Sequence, residues 1–159
     1  ENISITSDGA ITQLGGIEAN SLTLGGLADY QLDNANNAVA ALEGNINSIQ
    51  FLNNNSNVPA TLTLGDMTAN GGINIENFGA LIVSGAISSA TNSISLSTHS
   101  PLTVQSIASV SANNEVSLSA GDGSSSTDIL TIEGDLNSTT GGVSLLADSL
   151  TVTSQSKDK

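Results

Sequence analysis

The chain has 159 residues, a formal net charge of −13 and no cysteine, and its only basic side chains are Lys157 and Lys159. Phosphate backbones and anionic membrane surfaces are bound by clustered cations, so this charge argues against binding to nucleic acid or to a charged membrane. The absence of cysteine excludes disulfides, thiolate catalysis and cysteine-ligated zinc.

The apolar residues suit a narrow core, because only Tyr30, Phe51 and Phe78 are aromatic. No apolar run approaches the ~18 residues that a membrane-spanning helix needs, so we expect no membrane insertion. The sequence begins at Glu1 without a signal peptide, which suggests a mature segment or a fragment of a longer protein.

Short segments in which apolar and polar residues alternate recur along the chain, and this alternation predicts strands with one buried face. We expect one set of equivalent strands at Ile3–Ile5, Leu22–Leu24, Ile73–Ile75, Ile94–Leu96, Val116–Leu118 and Val143–Leu145. A second set is expected at Leu62–Leu64, Leu81–Val83, Leu102–Val104, Leu130–Ile132 and Leu150–Val152. A third, single apolar position follows at Met67, Ile87, Ile107 and Leu136, with Ile17 as its equivalent near the start.

The second set repeats at Leu62, Leu81, Leu102, Leu130 and Leu150, which gives spacings of 19, 21, 28 and 20 residues. The long spacing contains a polar insertion at residues 120–128, and without it the period is close to 21. Residues 25–61 are less regular, although Val39–Leu42 and Ile49–Phe51 resemble strands. In the first repeat Gln13 stands where an apolar residue is expected, so we predict a bulge that returns Leu14 to the core.

Strands this short cannot bury a core alone, but stacked copies can pair in parallel with the next repeat. The sequence therefore predicts an all-β parallel β-helix over residues 1–153, followed by a disordered tail at 154–159. We expect about seven rungs of ~20 residues, a rung being one complete turn, in a rod of about 30–35 Å. A helical fold is disfavoured because Gly, Asn, Ser and Thr dominate the sequence.

Several segments resemble the repeats of filamentous-haemagglutinin-like large exoproteins, a group similar to two-partner-secreted adhesins and autotransporter passengers. The resemblance covers most of residues 37–153 and is carried by Asn37–Leu42, Ser48–Asn53, Thr61–Gly65, Gly79–Val83 and Val143–Ala147. It implies a right-handed coil, export through an outer-membrane pore, and an adhesive or scaffold role. The family's Asn-rich secretion signature has no clear counterpart here, so the resemblance is to the repeat shaft.

The sequence offers few candidate catalytic residues. His99 is the only histidine, so any catalytic triad would have to use it, and its place beside Pro101 predicts a surface turn. Glycan-cleaving β-helices group acids on one face, whereas the acids here are scattered and the chain has neither Arg nor Trp. These acids are Glu18, Asp66, Glu76, Glu115, Glu133 and Asp135. We therefore predict that the protein is not an enzyme and uses no cofactor.

Acidic loops and outward hydroxyl columns are further candidate sites. Asp122 and Asp128 flank a loop whose oxygens could bind calcium, although no EF-hand or nonapeptide calcium pattern is present and a solvated insertion explains the loop as well. The segment Asp29–Asn34 is a weaker calcium candidate. Outward columns of hydroxyl groups are also expected, and such columns suggest ice binding as a hypothesis. Exposed strands favour Thr and Ser in any case because of their β-propensity. The predicted Thr column is Thr12, Thr63, Ile82, Thr103, Thr131 and Thr151, and the predicted Ser column is Ser95, Ser117 and Ser144.

Three functions remain as hypotheses. The first is a non-enzymatic, extracellular structural and adhesive segment of a secreted bacterial surface protein, whose partner is a host or neighbouring cell surface or matrix. The second is an extracellular fibre subunit that associates end to end with copies of itself. The third, less favoured, is a polysaccharide-acting enzyme or an ice-binding solenoid.

Overall fold

The computed structural model describes residues 1–54, 61–121 and 128–153, and the regular structure of these residues consists of β-strands. The first ten strands are β1 (Asn2–Thr6), β2 (Ile11–Thr12), β3 (Glu18–Ala19), β4 (Ser21–Gly25), β5 (Asp29–Leu32), β6 (Ala38–Val39), β7 (Ala41–Ile46), β8 (Ser48–Asn53), β9 (Leu62–Ala69) and β10 (Ile73–Asn77). The other ten are β11 (Leu81–Val83), β12 (Ala86–Ser89), β13 (Ile94–Thr98), β14 (Leu102–Val104), β15 (Ser109–Ala112), β16 (Val116–Ala120), β17 (Ile129–Ile132), β18 (Asp135–Ser138), β19 (Val143–Leu146) and β20 (Ser149–Val152).

The strands pair in parallel with their copies one rung away, which confirms a β-solenoid of about 7 turns with a spacing of ~21 residues. One sheet, here called the first sheet, has the order β1-β4-β7-β9-β11-β14-β17-β20. The second sheet has the order β19-β16-β13-β10-β8-β5-β2. β12, β15 and β18 form a branch that joins the first sheet through β9. The predicted all-β parallel architecture is therefore correct.

The path around the rung differs between the two halves of the rod. In the first two rungs a short third strand follows the second-sheet strand, and β3 pairs with β6 in a separate sheet. In the later rungs β12, β15 and β18 precede the second-sheet strand instead. Ile17 lies beside β3. The predicted equivalence of Ile17 and Met67 is therefore wrong. The change of path is accompanied by a register shift between β7 and β9, at Leu42 and Gly44.

Two of the predicted strand assignments are wrong in the first rungs. Ile3 pairs with Leu22, and Leu22 pairs with Leu42, so these residues lie in the first sheet rather than in the Ile73 column of the second. The second-sheet strands of these rungs are β2 and β5. Their polar and aromatic residues hid the alternation that is clear in later rungs.

The core consists of inward-facing aliphatic residues that stack in columns along the rod. Ile73, Ile94 and Val116 form one such column in the second sheet, and all three side chains are buried. Burial of each large aliphatic side chain stabilises the fold by about 1.5–3 kcal/mol. The prediction for Ile107 is wrong, because its side chain is 85% exposed, and Val110 takes the inward position beside Ile87 instead.

Amide side chains replace aliphatic ones at an inner corner of the rod. The buried Asn53 accepts a hydrogen bond from the Val39 backbone N–H at 2.9 Å, and its Nδ2 donates to the Val39 carbonyl at 2.9 Å. Nδ2 of Asn53 also donates to Oδ1 of Asn77 on the next rung at 2.9 Å, and Asn77 donates to the Ala80 carbonyl at 2.8 Å. These bonds satisfy backbone groups that no neighbouring strand pairs.

A second amide contact explains the polar residue of the first rung. Asn37 is buried, and its Oδ1 accepts hydrogen bonds from the Gln13 side chain and from the Ile17 backbone N–H. Oε1 of Gln13 in turn accepts from the Asn34 backbone N–H at 3.2 Å. Leu14 is fully exposed, so the predicted return of Leu14 to the core is wrong. Gln13 occupies its position because Asn37 gives it a hydrogen-bonding partner.

Candidate functional site

An open groove crosses the outer face of the second sheet, from β2 to β13, with a volume of about 490 Å³. Residues on a strand alternate between the two faces of the sheet, so the groove is lined by the outward residues of five successive rungs. Its central column is Thr12, Gln31, Gln50, Asn74 and Ser95.

The column places hydrogen-bonding groups in register along the rod. Gln31 pairs with Gln50, and Gln50 pairs with Asn74. Neighbouring strands lie about 4.8 Å apart, so five rungs present this column over about 19 Å. Gln31 donates to the Asp33 carboxylate at 3.0 Å. Within the described part of the chain, the exposed side chains of Gln50 and Asn74 have no hydrogen-bonding partner.

A single carboxylate lines one side of the groove. Oδ1 of Asp29 accepts hydrogen bonds from the Ser48 hydroxyl at 2.5 Å and from Nδ2 of Asn47 at 2.6 Å. The Ser48 bond, followed by the Asn47 bond, lowers the pKa of Asp29 below its ordinary value. Asp29 is therefore ionised at neutral pH, and Ser48 and Asn47 hold its Oδ1 at the edge of the groove.

Gly72 lines the groove without contributing a side chain to it. A Cβ atom at Gly72 would meet Nδ2 of Asn92 and the Ser93 carbonyl at 3.7 Å, which is an ordinary contact distance. A side chain can therefore be added at position 72 without displacement of the backbone.

His99 lies in a bend after β13 and has two specific contacts. Nε2 lies 3.1 Å from Oε1 of Glu76, and the ring stacks on Phe78 with a centroid distance of 3.9 Å. These two contacts account for the orientation of the His99 side chain, which is 35% exposed. Glu76 orients the imidazole, but among the described contacts no nucleophile is hydrogen-bonded to the ring, as triad chemistry requires.

Asp128 is the described half of the predicted calcium loop, since Asp122 lies outside the described residues. The Asp128 side chain is buried, and its Oδ2 is without a hydrogen-bonding partner. Gly121 packs against it with a φ of +92°, and a Cβ there would approach Cβ of Asp128 to 2.5 Å. Calcium would need further oxygen ligands at this position.

The remaining acids stay dispersed in the fold. Asp66 accepts a hydrogen bond from the Ala86 backbone N–H at 2.9 Å, and Glu43 accepts one from Thr23 at 3.0 Å. Over residues 1–54, 61–121 and 128–153, no cluster of three or more His, Asp or Glu side chains could hold a metal ion.

The outward hydroxyl columns are largely as predicted. Thr103 pairs with Ile82 and with Thr131, and the column continues to Thr63 and Thr151. Thr12 is wrongly placed in this prediction, because it pairs with Gln31 in the second sheet. Ser95, Ser117 and Ser144 are in register, and they continue the central column of the groove toward the end of the rod.

The amides of the groove were not predicted from the sequence, although each occupies the middle of an alternating triplet. Gln31 lies between Tyr30 and Leu32, and Gln50 lies between Ile49 and Phe51. The missing signal was the register, since only the pairing of β5, β8 and β10 brings Gln31, Gln50 and Asn74 into one line.

Comparison with other proteins assigns no family or function to the chain. No family model matches the chain, and neither a curated protein nor a solved structure matches it. Where the structure is described, it contains no helix with the length and hydrophobicity to cross a membrane.

Proposed function

We propose that this chain is a non-enzymatic, structural and adhesive β-solenoid segment of a secreted bacterial surface protein, at the cell surface or in the extracellular space. The observation that carries the proposal is the continuous stack of about 7 parallel turns, with aliphatic residues inside and short neutral polar residues outside. Such a rod is a spacer that presents the residues on its outer faces at a fixed distance from the end by which it is attached. The resemblance of the repeats to those of filamentous-haemagglutinin-like exoproteins supports the same assignment.

The dispersal of the acids supports a non-enzymatic role. Glycoside hydrolysis uses two carboxyl groups about 5–9.5 Å apart on either side of the bond that is cleaved. Asp29 is the one carboxylate of the groove lining, and the His99–Glu76 pair lies beyond that lining. The outward columns instead offer many weak hydrogen-bonding groups, which suits adhesion through repeated contacts.

The adhesive role is tested with beads that carry the purified chain. We expect coated beads to adhere to epithelial monolayers or to deposited matrix more than beads coated with the heat-denatured chain. Equal adhesion of the two preparations would contradict the proposal. A reducing-sugar assay on neutral and acidic polysaccharides tests the enzyme hypothesis in parallel, and sustained turnover would overturn the non-enzymatic assignment.

Self-association is a second candidate, supported by the last rung. Inward residues there are uncovered, with Val143 45%, Leu150 51% and Val152 62% exposed. β20 and β1 are opposite edges of the same sheet, and both carry an inward-outward-inward pattern of apolar and polar residues. A second copy could therefore add its β1 to β20 in register, and repetition of this contact would produce fibres.

Salt dependence tests this candidate on the 159-residue chain. The charge of −13 opposes association, and salt screens it over about 8 Å at physiological ionic strength. We expect light scattering to detect oligomers that grow with NaCl or CaCl₂ and that Leu150→Lys prevents. Thr103→Lys has the same charge change on the middle of the rod and should leave assembly intact. A wild-type chain that stays monomeric throughout the titration would exclude the fibre hypothesis.

A further inference from the structure

We propose that the groove on the second sheet binds a neutral, extended polysaccharide, whose hydroxyl groups form hydrogen bonds with Gln31, Gln50 and Asn74. This inference rests on the adhesive role proposed above and assigns it a site and a class of ligand. The polymer lies along the axis of the rod, across successive strands rather than along one of them.

The chemistry of the amides matches that of sugar hydroxyls. A carboxamide offers two N–H donors and one carbonyl acceptor, whereas each hydroxyl both donates and accepts. Gln50 and Asn74 present these groups to solvent without a partner in the described chain. The hydroxyls of Thr12 and Ser95 extend the same column at its two ends.

The regular spacing of the amides along the rod favours a linear polymer of identical units as the ligand. Amides recur at intervals of about 4.8 Å because they lie on adjacent parallel strands. One pyranose unit of an extended chain is close to this length, so successive sugars meet equivalent groups. A five-rung groove of about 19 Å accommodates a short oligosaccharide.

An extended peptide is less favoured, because a peptide that is recognised by strand addition needs an exposed sheet edge. Here the groove lies on the face of an internal part of the sheet. The backbone groups of β5, β8 and β10 already pair with their neighbours on both sides. Side chains alone are available for recognition, which favours a polyhydroxyl ligand over a peptide.

Charge decides against acidic glycans. Residues 1–156 contain no Lys or Arg, and the groove carries the ionised carboxylate of Asp29. A uronate or sulfated polymer would therefore meet repulsion with no compensating cation. A neutral chain avoids this cost, and the hydroxyls of a sugar can donate to Asp29.

Affinity comes from length rather than from any single contact. The aromatic residue of the lining, Tyr30, is buried and donates its hydroxyl to the Gly25 carbonyl at 2.7 Å. Sugar stacking on an exposed ring is thus absent from the described lining, and we expect a dissociation constant on the order of 1 mM for a hexamer. Longer polymers gain affinity because neighbouring units bind intramolecularly.

The test is an NMR titration of the side-chain amide resonances of the folded chain with cellohexaose and chitohexaose. We expect the resonances of Gln31, Gln50 and Asn74 to shift with at least one hexamer, and polygalacturonate to cause no such shift. Gln50→Ala and Asn74→Ala should each weaken binding about fivefold, the loss of roughly one hydrogen bond. Gly72→Leu should abolish it by filling the groove.

Ser117→Ala is the matched control, because Ser117 continues the column beyond the groove, and its binding should equal that of the wild type. Thermal unfolding checks that each variant is folded. Failure of both hexamers to bind, equal binding by all variants, or preferential binding of a Gly/Ser peptide would overturn the inference. Beads that still adhere when no hexamer binds would reject this site and leave the adhesive role in place.

Discussion

The first three rungs and the later rungs solve the same packing problem in different ways. In β10, β13 and β16, the inward positions of the second sheet are occupied mainly by Ile, Leu and Val, and equivalent residues recur every 21 or 22 positions. In residues 1–54, the core also contains Tyr30, Phe51 and the amides of Asn37 and Asn53. The first three rungs bond their corners with side-chain amides. Asn77 of β10 continues this row, and Thr98 and Ala120 replace the amide in the next two rungs.

This difference shows which part of the fold depends on regular spacing. Where strands are equal in length, pairing between strands satisfies the backbone N–H and C=O groups. The inward side chains then need only to be apolar and to fill the interior. Where a ladder of strands ends, as at β6 in its two-stranded sheet, some backbone groups have no strand partner. Asn53 then supplies the missing donor and acceptor to Val39.

The largest expected effect concerns the aliphatic region. Leu96→Asp places an unpaired carboxylate in a fully buried column and should lower the free energy of unfolding by about 4 kcal/mol or more. Ser95→Asp lies one residue earlier and faces outward, so its effect should be small. Urea unfolding measures both, and equal midpoints for the two variants would show that the inward-outward assignment of β13 is wrong.

The amide region should respond to loss of a single side chain. Asn53→Ala removes the partners of the Val39 N–H and carbonyl and of Oδ1 of Asn77, which should cost roughly 2–4 kcal/mol. Asn45→Ala, at an exposed position of β7, is the control and should change stability by less than about 0.5 kcal/mol. If the two variants have the same unfolding free energy, the amides do not stabilise the corner.

Asp128 is an exception within the aliphatic region. Its buried Oδ2 is without a partner, so Asp128→Asn should raise the free energy of unfolding by about 1 kcal/mol at neutral pH without calcium. Asp148→Asn, at an exposed position, should have no comparable effect. A lower stability of Asp128→Asn would show that the carboxylate is needed. A calcium-induced rise in the wild-type midpoint that the variant lacks would identify Asp128 as a calcium ligand.

The smallest effect is expected on the outer faces. Thr103→Ala should change stability by less than about 0.5 kcal/mol, because its half-exposed side chain contributes mainly strand propensity. Thr98→Ala should cost more, because the buried Thr98 hydroxyl donates to the Gly79 carbonyl. Thermal unfolding of the pair separates the two cases. A larger loss for Thr103→Ala would indicate that the Thr column is itself structural.

The sequence was sufficient to predict the strands of the solenoid and their columns wherever the strands repeat with nearly constant spacing. Leu81, Leu102 and Leu130 were assigned to one column, and they are adjacent in the first sheet. The reason is physical, since an inward residue must be apolar and a parallel neighbour must have the same orientation. The 28-residue spacing between Leu102 and Leu130 did not disturb this assignment.

The errors occur where alternation alone is ambiguous. Ile3 and Leu22 could belong to either sheet, because both sheets use the same inward-outward pattern, and only the pairing of β1 with β4 resolves them. Ile107 was misplaced because the corner between β14 and β15 turns its side chain outward. The groove could not be located for the same reason, since its amides come from rungs whose register was irregular in the sequence.

The stacking of parallel rungs also has a mechanical consequence. Each rung contributes about 4.8 Å to the length of the rod, yet its ~21 residues would span roughly 70 Å when fully extended. A rung contacts only its neighbours, so a pulling force can detach rungs one at a time from an end. A tethered rod of this kind can therefore lengthen by about 65 Å for each released rung and dissipate load, while the rungs that remain stacked keep their binding face intact.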